Sequence, residues 1–162
     1  MATHARLIGP YEEHKHLIIP FLKSSVVCGS SPPAPGPSEL MMEDPLDISD
    51  FVDHPKASFF WKTYGDSMIG AGIFSGDILL LDRFYIPFLV PGDVIVAAEA
   101  GRDPMVKRLV FENKKPLLLP ENPKFKPVPI DPEEGIEVMG VVLWNFHMHR
   151  GSVAVRRKLK AV

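Results

Sequence analysis

Residues 91–119 read PGDVIVAAEAGRDPMVKRLVFENKKPLLL. Three short apolar runs, separated by turn-forming residues such as Pro91-Gly92-Asp93 and Asn113-Lys114, occupy residues 94–98, 106–111 and 117–119. Apolar runs of this length, bounded by glycine, proline, asparagine and aspartate, are typical of β-strands joined by tight turns. This segment therefore predicts consecutive strands with no helix between them.

The same pattern extends in both directions along the chain. Further apolar runs of strand length lie at residues 59–61, 78–81 and 138–146, and Gly76-Asp77 supplies another turn. From Ala57 onward we find no long helical period and no internal repeat. We therefore predict a mostly β protein, with packed, mostly antiparallel sheets in a compact fold.

The first part of the chain has a different composition. In the N-terminal region, only residues 17–22 are apolar enough to predict packing. Residues 28–37 read CGSSPPAPGP, which excludes a helix or a central strand. The acidic residues 39–55 predict one short helical turn. These changes in composition predict that the chain has four parts. They are an extended N-terminal arm (residues 1–28), a Pro-rich linker (29–45), a β-domain (46–150) and a basic C-terminal tail (151–162).

Composition narrows the class of protein. A chain of 162 residues with 46% hydrophobic residues can bury one core, and its formal net charge of -2 gives no overall attraction to phosphates. Cys28 is the single cysteine and cannot form an internal disulfide, and the sequence has neither a signal peptide nor an apolar run long enough to span a membrane. We expect a cytoplasmic protein that binds neither membranes nor duplex DNA directly.

A serine nucleophile needs a base that removes its hydroxyl proton. Ser67 follows Gly65-Asp66 in a predicted turn, which we expect to expose the serine and the neighbouring backbone N–H groups. The N–H groups of Ser67 and Met68 could then form an oxyanion hole. Further along, Lys107 lies in an apolar strand, and period-2 alternation places it on one face with Met105 and Leu109. Burial there would lower the pKa of the lysine and make it a base. The alternative is a strand lysine whose ammonium extends to water.

The histidines provide no comparable partner for a serine. None of the six lies in a recognisable nucleophile setting; they are His4, His14, His16, His54, His147 and His149. The last two alternate onto one face of the final strand and could contact a metal ion, but two ligands are too few for a site and no cysteine or carboxylate cluster completes one. We predict no metal and no cofactor.

Several separate motifs resemble the LexA/UmuD self-cleaving serine peptidase family, S24, and within it the UmuD subunits of error-prone translesion polymerases. In the order that the family keeps, they are HPKAS (54–58), GDSMI (65–69) with Gly76-Asp77 after it, GDVIV (92–96), VKRL (106–109), PENP (120–123) and GVV (140–142). The resemblance spans roughly residues 46–146. Together these motifs are far more specific than any one of them alone.

The resemblance implies the roles of individual residues. Ser67 corresponds to the family's nucleophile and Lys107 to its base, and the scissile bond joins a small residue to glycine, which here is Cys28–Gly29. Residues 1–28 would then be a removable arm and residues 46–150 the LexA/UmuD-like peptidase domain. Two features depart from the family, namely Tyr64 before the GDSMI motif and the additions at residues 84–88 and 102–104, which we interpret as changes in hairpin loops.

The resemblance also implies partners and a setting. It predicts a homodimer of the SOS response to DNA damage, whose self-cleavage is stimulated by a RecA–single-stranded DNA filament and whose trimmed form joins a UmuC-like Y-family DNA polymerase. The 27 residues ahead of Cys28 lack the pattern and the room for a helix-turn-helix domain, so we expect a polymerase subunit rather than a repressor. The alternative is a non-catalytic interaction module with the same β-fold, and the presence of both Ser67 and Lys107 argues against it.

Overall fold

The computed structural model of the chain describes residues 4–10, 18–22, 42–99, 101–130 and 135–149. The described residues form ten strands, which are β1 (His4–Pro10), β2 (Ile18–Leu22), β3 (Met42–Asp47), β4 (Ser58–Tyr64), β5 (Ile78–Asp82), β6 (Val94–Ala98), β7 (Met105–Glu112), β8 (Lys115–Leu119), β9 (Val128–Pro129) and β10 (Glu137–Phe146). Their helices are three short 3₁₀ turns, at Ile48–Phe51, Ile69–Ala71 and Ile86–Phe88. The prediction of a mostly β protein is confirmed.

The chain divides into two compact units. The smaller, Glu12–Pro55, contains the antiparallel pair β2 and β3, in which Ile18 faces Asp47 and Leu22 faces Met42. The predicted helical turn follows β3 as the 3₁₀ helix Ile48–Phe51. Asp47 caps this helix, because its Oδ1 accepts the Ser49 N–H at 2.8 Å while Asp50 accepts the Asp47 N–H at 2.8 Å.

The larger unit, formed by Met1–Tyr11 and Lys56–Val162, contains one antiparallel sheet of eight described strands. Their order is β1-β4-β5-β10-β6-β7-β8-β9. A further pairing of His4 with Met105 joins β1 to β7, so the first six strands in this order form a closed ring. All six apolar runs that predicted strands lie in this sheet.

Apolar side chains pack on both faces of the central strands. One cluster contains Trp61, Met68, Ile73, Leu79, Leu81, Val96 and Val106, and a second contains Ile95, Ala97, Leu109, Leu118 and Val141. Neighbouring residues of β6 enter different clusters, as the two-residue period of a strand requires. The central strands of the sheet are therefore held on both faces by packed apolar side chains.

Two features differ from the expectations. The addition at residues 84–88 does not lie in a hairpin loop, because β5 and β6 do not pair with each other and both pair with β10, which lies between them. The addition at 102–104 does lie in a hairpin, between the paired strands β6 and β7. The sequence patterns also missed β1, whose backbone pairs with β4 from His4–Tyr64 to Pro10–Phe59.

Candidate active site

Ser67 lies in the connection that follows β4. Gly65 begins this connection with φ +95, a backbone angle that glycine adopts without a steric penalty. The expectation of an exposed serine is wrong, because Ser67 is 0% exposed and the next residue, Met68, is equally buried and belongs to the first core cluster. The Met68 carbonyl accepts the N–H groups of Ala71 and Ile73, at 3.0 and 3.2 Å. The serine is therefore presented by a segment that is packed and hydrogen-bonded.

Lys107 lies on β7, opposite Ile95 of β6, and is 5% exposed. The prediction that strand alternation buries this lysine is thus confirmed. Its Nζ lies 2.9 Å from Ser67 Oγ and 2.9 Å from the Val106 carbonyl oxygen, to which it donates. The structure therefore brings together the two side chains that the sequence singled out, although they are 40 residues apart.

Burial lowers the pKa of Lys107 from 10.5 to about 8, because removal from water disfavours the charged ammonium. The contact with Ser67 is compatible with both protonation states. An ammonium donates a hydrogen bond to Ser67 Oγ, whereas a neutral amine accepts one from the hydroxyl. The second state is the one that a general base requires, and its fraction at neutral pH is far larger than that of an ordinary lysine.

The turn after Ser67 is held by Thr63, Asp77 and His147. Thr63 Oγ1 donates to the Phe74 carbonyl at 2.7 Å, and the carboxylate of Asp77, which is buried, accepts the Phe74 N–H at 2.8 Å. His147 Nδ1 lies 2.5 Å from the other oxygen of Asp77. The sequence marked Gly76-Asp77 as a turn and as part of a motif, and these contacts show that the Asp77 carboxylate helps to hold the turn after Ser67.

His147 and His149 form a ring contact, with centroids 4.8 Å apart, at the end of β10. Among the residues described, no three His, Cys, Asp or Glu side chains lie together in a way that could hold a metal ion. His14, His16 and Cys28 lie outside those residues, so the absence of a metal stays a prediction. The described helices include none with the length and apolar character needed to cross a membrane.

The structure describes only part of what else the sequence singled out for the site. The Cys28–Gly29 bond lies outside the described residues, as does most of the predicted linker and the whole basic tail. The oxyanion role of the Ser67 and Met68 backbone N–H groups stays a prediction. Tyr64, the residue that departs from the family pattern, is exposed at the end of β4, and Lys62 Nζ lies 5.4 Å from its ring centroid.

Comparison with known proteins identifies relatives over most of the chain. The family model described as Peptidase S24-like matches residues 21–143. Protein SamA of Salmonella typhimurium is 31% identical over 90% of this chain and 97% of its own length, and Protein MucA of Escherichia coli is 32% identical over 81% and 86%.

A LexA repressor from Oleidesulfovibrio alaskensis is 40% identical over 85 residues. That match covers 52% of this chain but only 40% of the repressor, so the chain spans less than half the length of this relative. SamA and MucA, in contrast, are matched over nearly their whole lengths. By its family match and by these relatives, the chain belongs to the S24 peptidase family, as a UmuD-like member.

Proposed function

We propose that this protein is a self-cleaving serine peptidase in which Ser67 is the nucleophile, Lys107 is the general base and Cys28–Gly29 is the bond cut. The observation that carries the proposal is the 2.9 Å contact between Ser67 Oγ and a lysine Nζ that is almost fully buried. A strand lysine whose ammonium extended to water would make no such contact. The pair also argues against a purely non-catalytic module, because binding alone does not require a desolvated lysine beside a serine.

In the proposed reaction, the neutral amine of Lys107 accepts the hydroxyl proton as Ser67 Oγ bonds to the carbonyl carbon of Cys28. The tetrahedral intermediate collapses, the C–N bond to Gly29 breaks, and the Lys107 ammonium returns the proton to the departing amine. Water then attacks the Ser67 ester with Lys107 again as base, which releases the Cys28 carboxylate and restores the serine. Glycine after the cut leaves the approach to the carbonyl uncrowded.

The cellular role that we propose follows the family resemblance. Self-cleavage would be stimulated after DNA damage by a RecA–single-stranded DNA filament in the cytoplasm, and the dimeric trimmed form would join a Y-family polymerase of the UmuC kind. The extents of the matches support a subunit of this kind over a repressor, since SamA and MucA are matched over almost their whole lengths and the LexA repressor over 40%.

We expect the rate of unstimulated self-cleavage to rise with pH, with a midpoint near the pKa of Lys107, about 8. Since the neutral amine is the active form, the rate should rise about tenfold per pH unit well below the midpoint and level off above roughly pH 9. The measurement is the first-order loss of intact chain on gels, with product masses that place the cut after Cys28. A flat profile would exclude Lys107 as the base, and different product masses would exclude the cut site.

The polymerase role predicts a difference between cleaved and uncleavable protein. The product containing residues 29–162 should co-purify with a UmuC-like polymerase and support lesion-bypass synthesis better than Ser67→Ala full-length protein does. Neither form should bind duplex DNA at physiological salt, because 20 Asp and Glu outnumber 18 Lys and Arg in the full chain and leave no overall attraction to phosphates. Equal bypass with the Ser67→Ala protein would contradict cleavage as the switch, and tight binding to duplex DNA would contradict the subunit role.

A further inference from the structure

The segment Pro120-Glu121-Asn122-Pro123 follows β8 and contacts the connection that carries Ser67. Asn122 is 4% exposed, and its side-chain Nδ2 donates to the Asp66 carbonyl oxygen at 2.8 Å. On its other side, Asn122 Oδ1 accepts the Lys124 N–H at 3.1 Å. These two partners fix the orientation of the amide, because a flipped Asn122 would direct oxygen at a carbonyl and nitrogen at an N–H.

The contact with Asp66 has a direct geometric consequence for Ser67. The Asp66 carbonyl and the Ser67 N–H belong to one peptide group, and no cis peptide bond occurs in the described chain. In a planar trans peptide the carbonyl and the N–H point in opposite directions. A hydrogen bond that fixes the Asp66 carbonyl therefore also fixes the direction of the Ser67 N–H and the backbone from which the Ser67 side chain departs.

The same segment contacts the site at two more points. The Glu121 carbonyl accepts the Gly70 N–H at 2.7 Å, and a Cβ on Gly70 would lie only 2.5 Å from that oxygen, so this close approach requires glycine. The Glu121 carboxylate contacts Arg108 Nε at 2.5 Å, and Arg108 is the neighbour of Lys107 on β7. One short segment is thus joined to the connection that holds the serine and to the strand that holds the lysine.

We propose that Asn122 is a positioning residue of the peptidase site. By donating to the Asp66 carbonyl, it holds the Asp66–Ser67 peptide in the orientation in which Ser67 attacks and its N–H faces the developing oxyanion. The inference rests on the proposed function and extends it to a side chain that acts through the backbone of the serine's connection rather than on the reacting atoms. The role belongs to the Nδ2 donor alone, which makes it separable from the packing of the residue.

The test compares the self-cleavage rates of full-length Asn122→Asp, Asn122→Ala and wild-type protein across the pH profile. Asn122→Asp keeps the shape of the side chain and the acceptor for the Lys124 N–H, but it directs an oxygen at the Asp66 carbonyl. We expect both variants to lower the plateau rate about 100-fold, as a misdirected oxyanion donor does. Asn122→Ala, which adds no charge, should keep the midpoint near pH 8. The control is Arg102→Ala, which removes an exposed side chain that contacts Glu99 in the connection between β6 and β7. It should cleave at nearly the wild-type rate.

Two further readouts separate positioning from folding. Circular dichroism gives the folded fraction at the assay temperature, by which each rate is corrected. Diisopropylphosphorylation of Ser67 by diisopropyl fluorophosphate, with loss of fluoride, reports the reactivity of the serine without requiring the Cys28–Gly29 bond in the site. It should slow in parallel with cleavage. Folded Asn122→Asp that cleaves and is labelled at wild-type rates would overturn the inference and leave the proposed function standing. Wild-type protein that does not cleave at any pH would overturn both.

Discussion

Ser67→Ala and Lys107→Ala are each expected to abolish self-cleavage, with first-order rates lowered on the order of 10⁴-fold or more at every pH. Alanine at position 67 removes the only atom that bonds to the scissile carbonyl in the proposed reaction. Alanine at position 107 removes the base 2.9 Å from that atom. Loss of either residue should cost about as much as loss of both, because they act as one unit.

Lys107→Arg provides a sharper version of the same experiment. The guanidinium keeps the positive charge and the hydrogen-bonding capacity, but it does not lose its proton in the accessible pH range. We therefore expect this variant to be as inactive as Lys107→Ala, even at pH 10. Cleavage by Lys107→Arg would mean that positive charge alone suffices and that Lys107 is not the base, whereas cleavage by Ser67→Ala would eliminate the serine mechanism.

The second large effect concerns stability. Lys107→Met is expected to stabilise the folded chain at pH 7 by about 2 kcal/mol while it removes cleavage. A fall in the pKa of Lys107 from 10.5 to about 8 corresponds to roughly 3 kcal/mol of destabilisation wherever the lysine is charged in both states. The hydrogen bond lost to Ser67 offsets about 1 kcal/mol of the gain.

The pH dependence of this difference identifies its cause. Below pH 8 both the folded and unfolded chains carry the proton, so the full cost of the buried charge is present. Between pH 8 and 10.5 the unfolded chain binds the proton and the folded chain does not, so the wild-type protein gains stability as the pH rises. Urea unfolding of both proteins at pH 7, 9 and 11 should therefore show the advantage of Lys107→Met shrinking and then reversing by about 1 kcal/mol, because the wild-type protein keeps the hydrogen bond to Ser67.

Lys115→Met provides the matched control, because Lys115 is also a strand lysine but is exposed on β8. Its substitution should change the free energy of unfolding little, and by a similar amount at all three pH values. An advantage of Lys107→Met that does not depend on pH would indicate packing rather than relief of a buried charge. No advantage at pH 7 would mean that the ammonium of Lys107 is solvated in the folded chain.

Six of the ten described strands were predictable because their signals are local. Each apolar run is bounded by turn residues within a few positions. The alternation of apolar residues within 105–109 was enough to predict that Lys107 is buried. The position of β10 between β5 and β6 was not predictable in this way. Its partners lie far away in sequence, and the order of strands depends on packing of the whole sheet rather than on any one segment. The interpretation of residues 84–88 as a hairpin loop was wrong for this reason.

The candidate site was likewise predictable where the signal is local and not where it depends on contacts between distant segments. Ser67 and Lys107 could be identified because each belongs to a motif with its own chemistry, and the structure brings them within hydrogen-bonding distance. The contacts of Asn122 with Asp66 and of His147 with Asp77 could not be identified, although Asn122 and Asp77 lie in quoted motifs. A hydrogen bond between two loops has no sequence period and depends on both backbones being placed first.

Cleavage in the proposed place would weaken the pairing of β1. β1 precedes Cys28, yet its backbone pairs with β4 and, through His4 and Met105, with the strand that carries Lys107. Before cleavage, the covalent tether gives β1 a high effective concentration beside its partners. A cut after Cys28 would make this pairing a bimolecular equilibrium between a short peptide and the rest of the protein. Dissociation would leave Ser58–Tyr64 paired with β5 alone, and its open edge could then accept a strand from another protein.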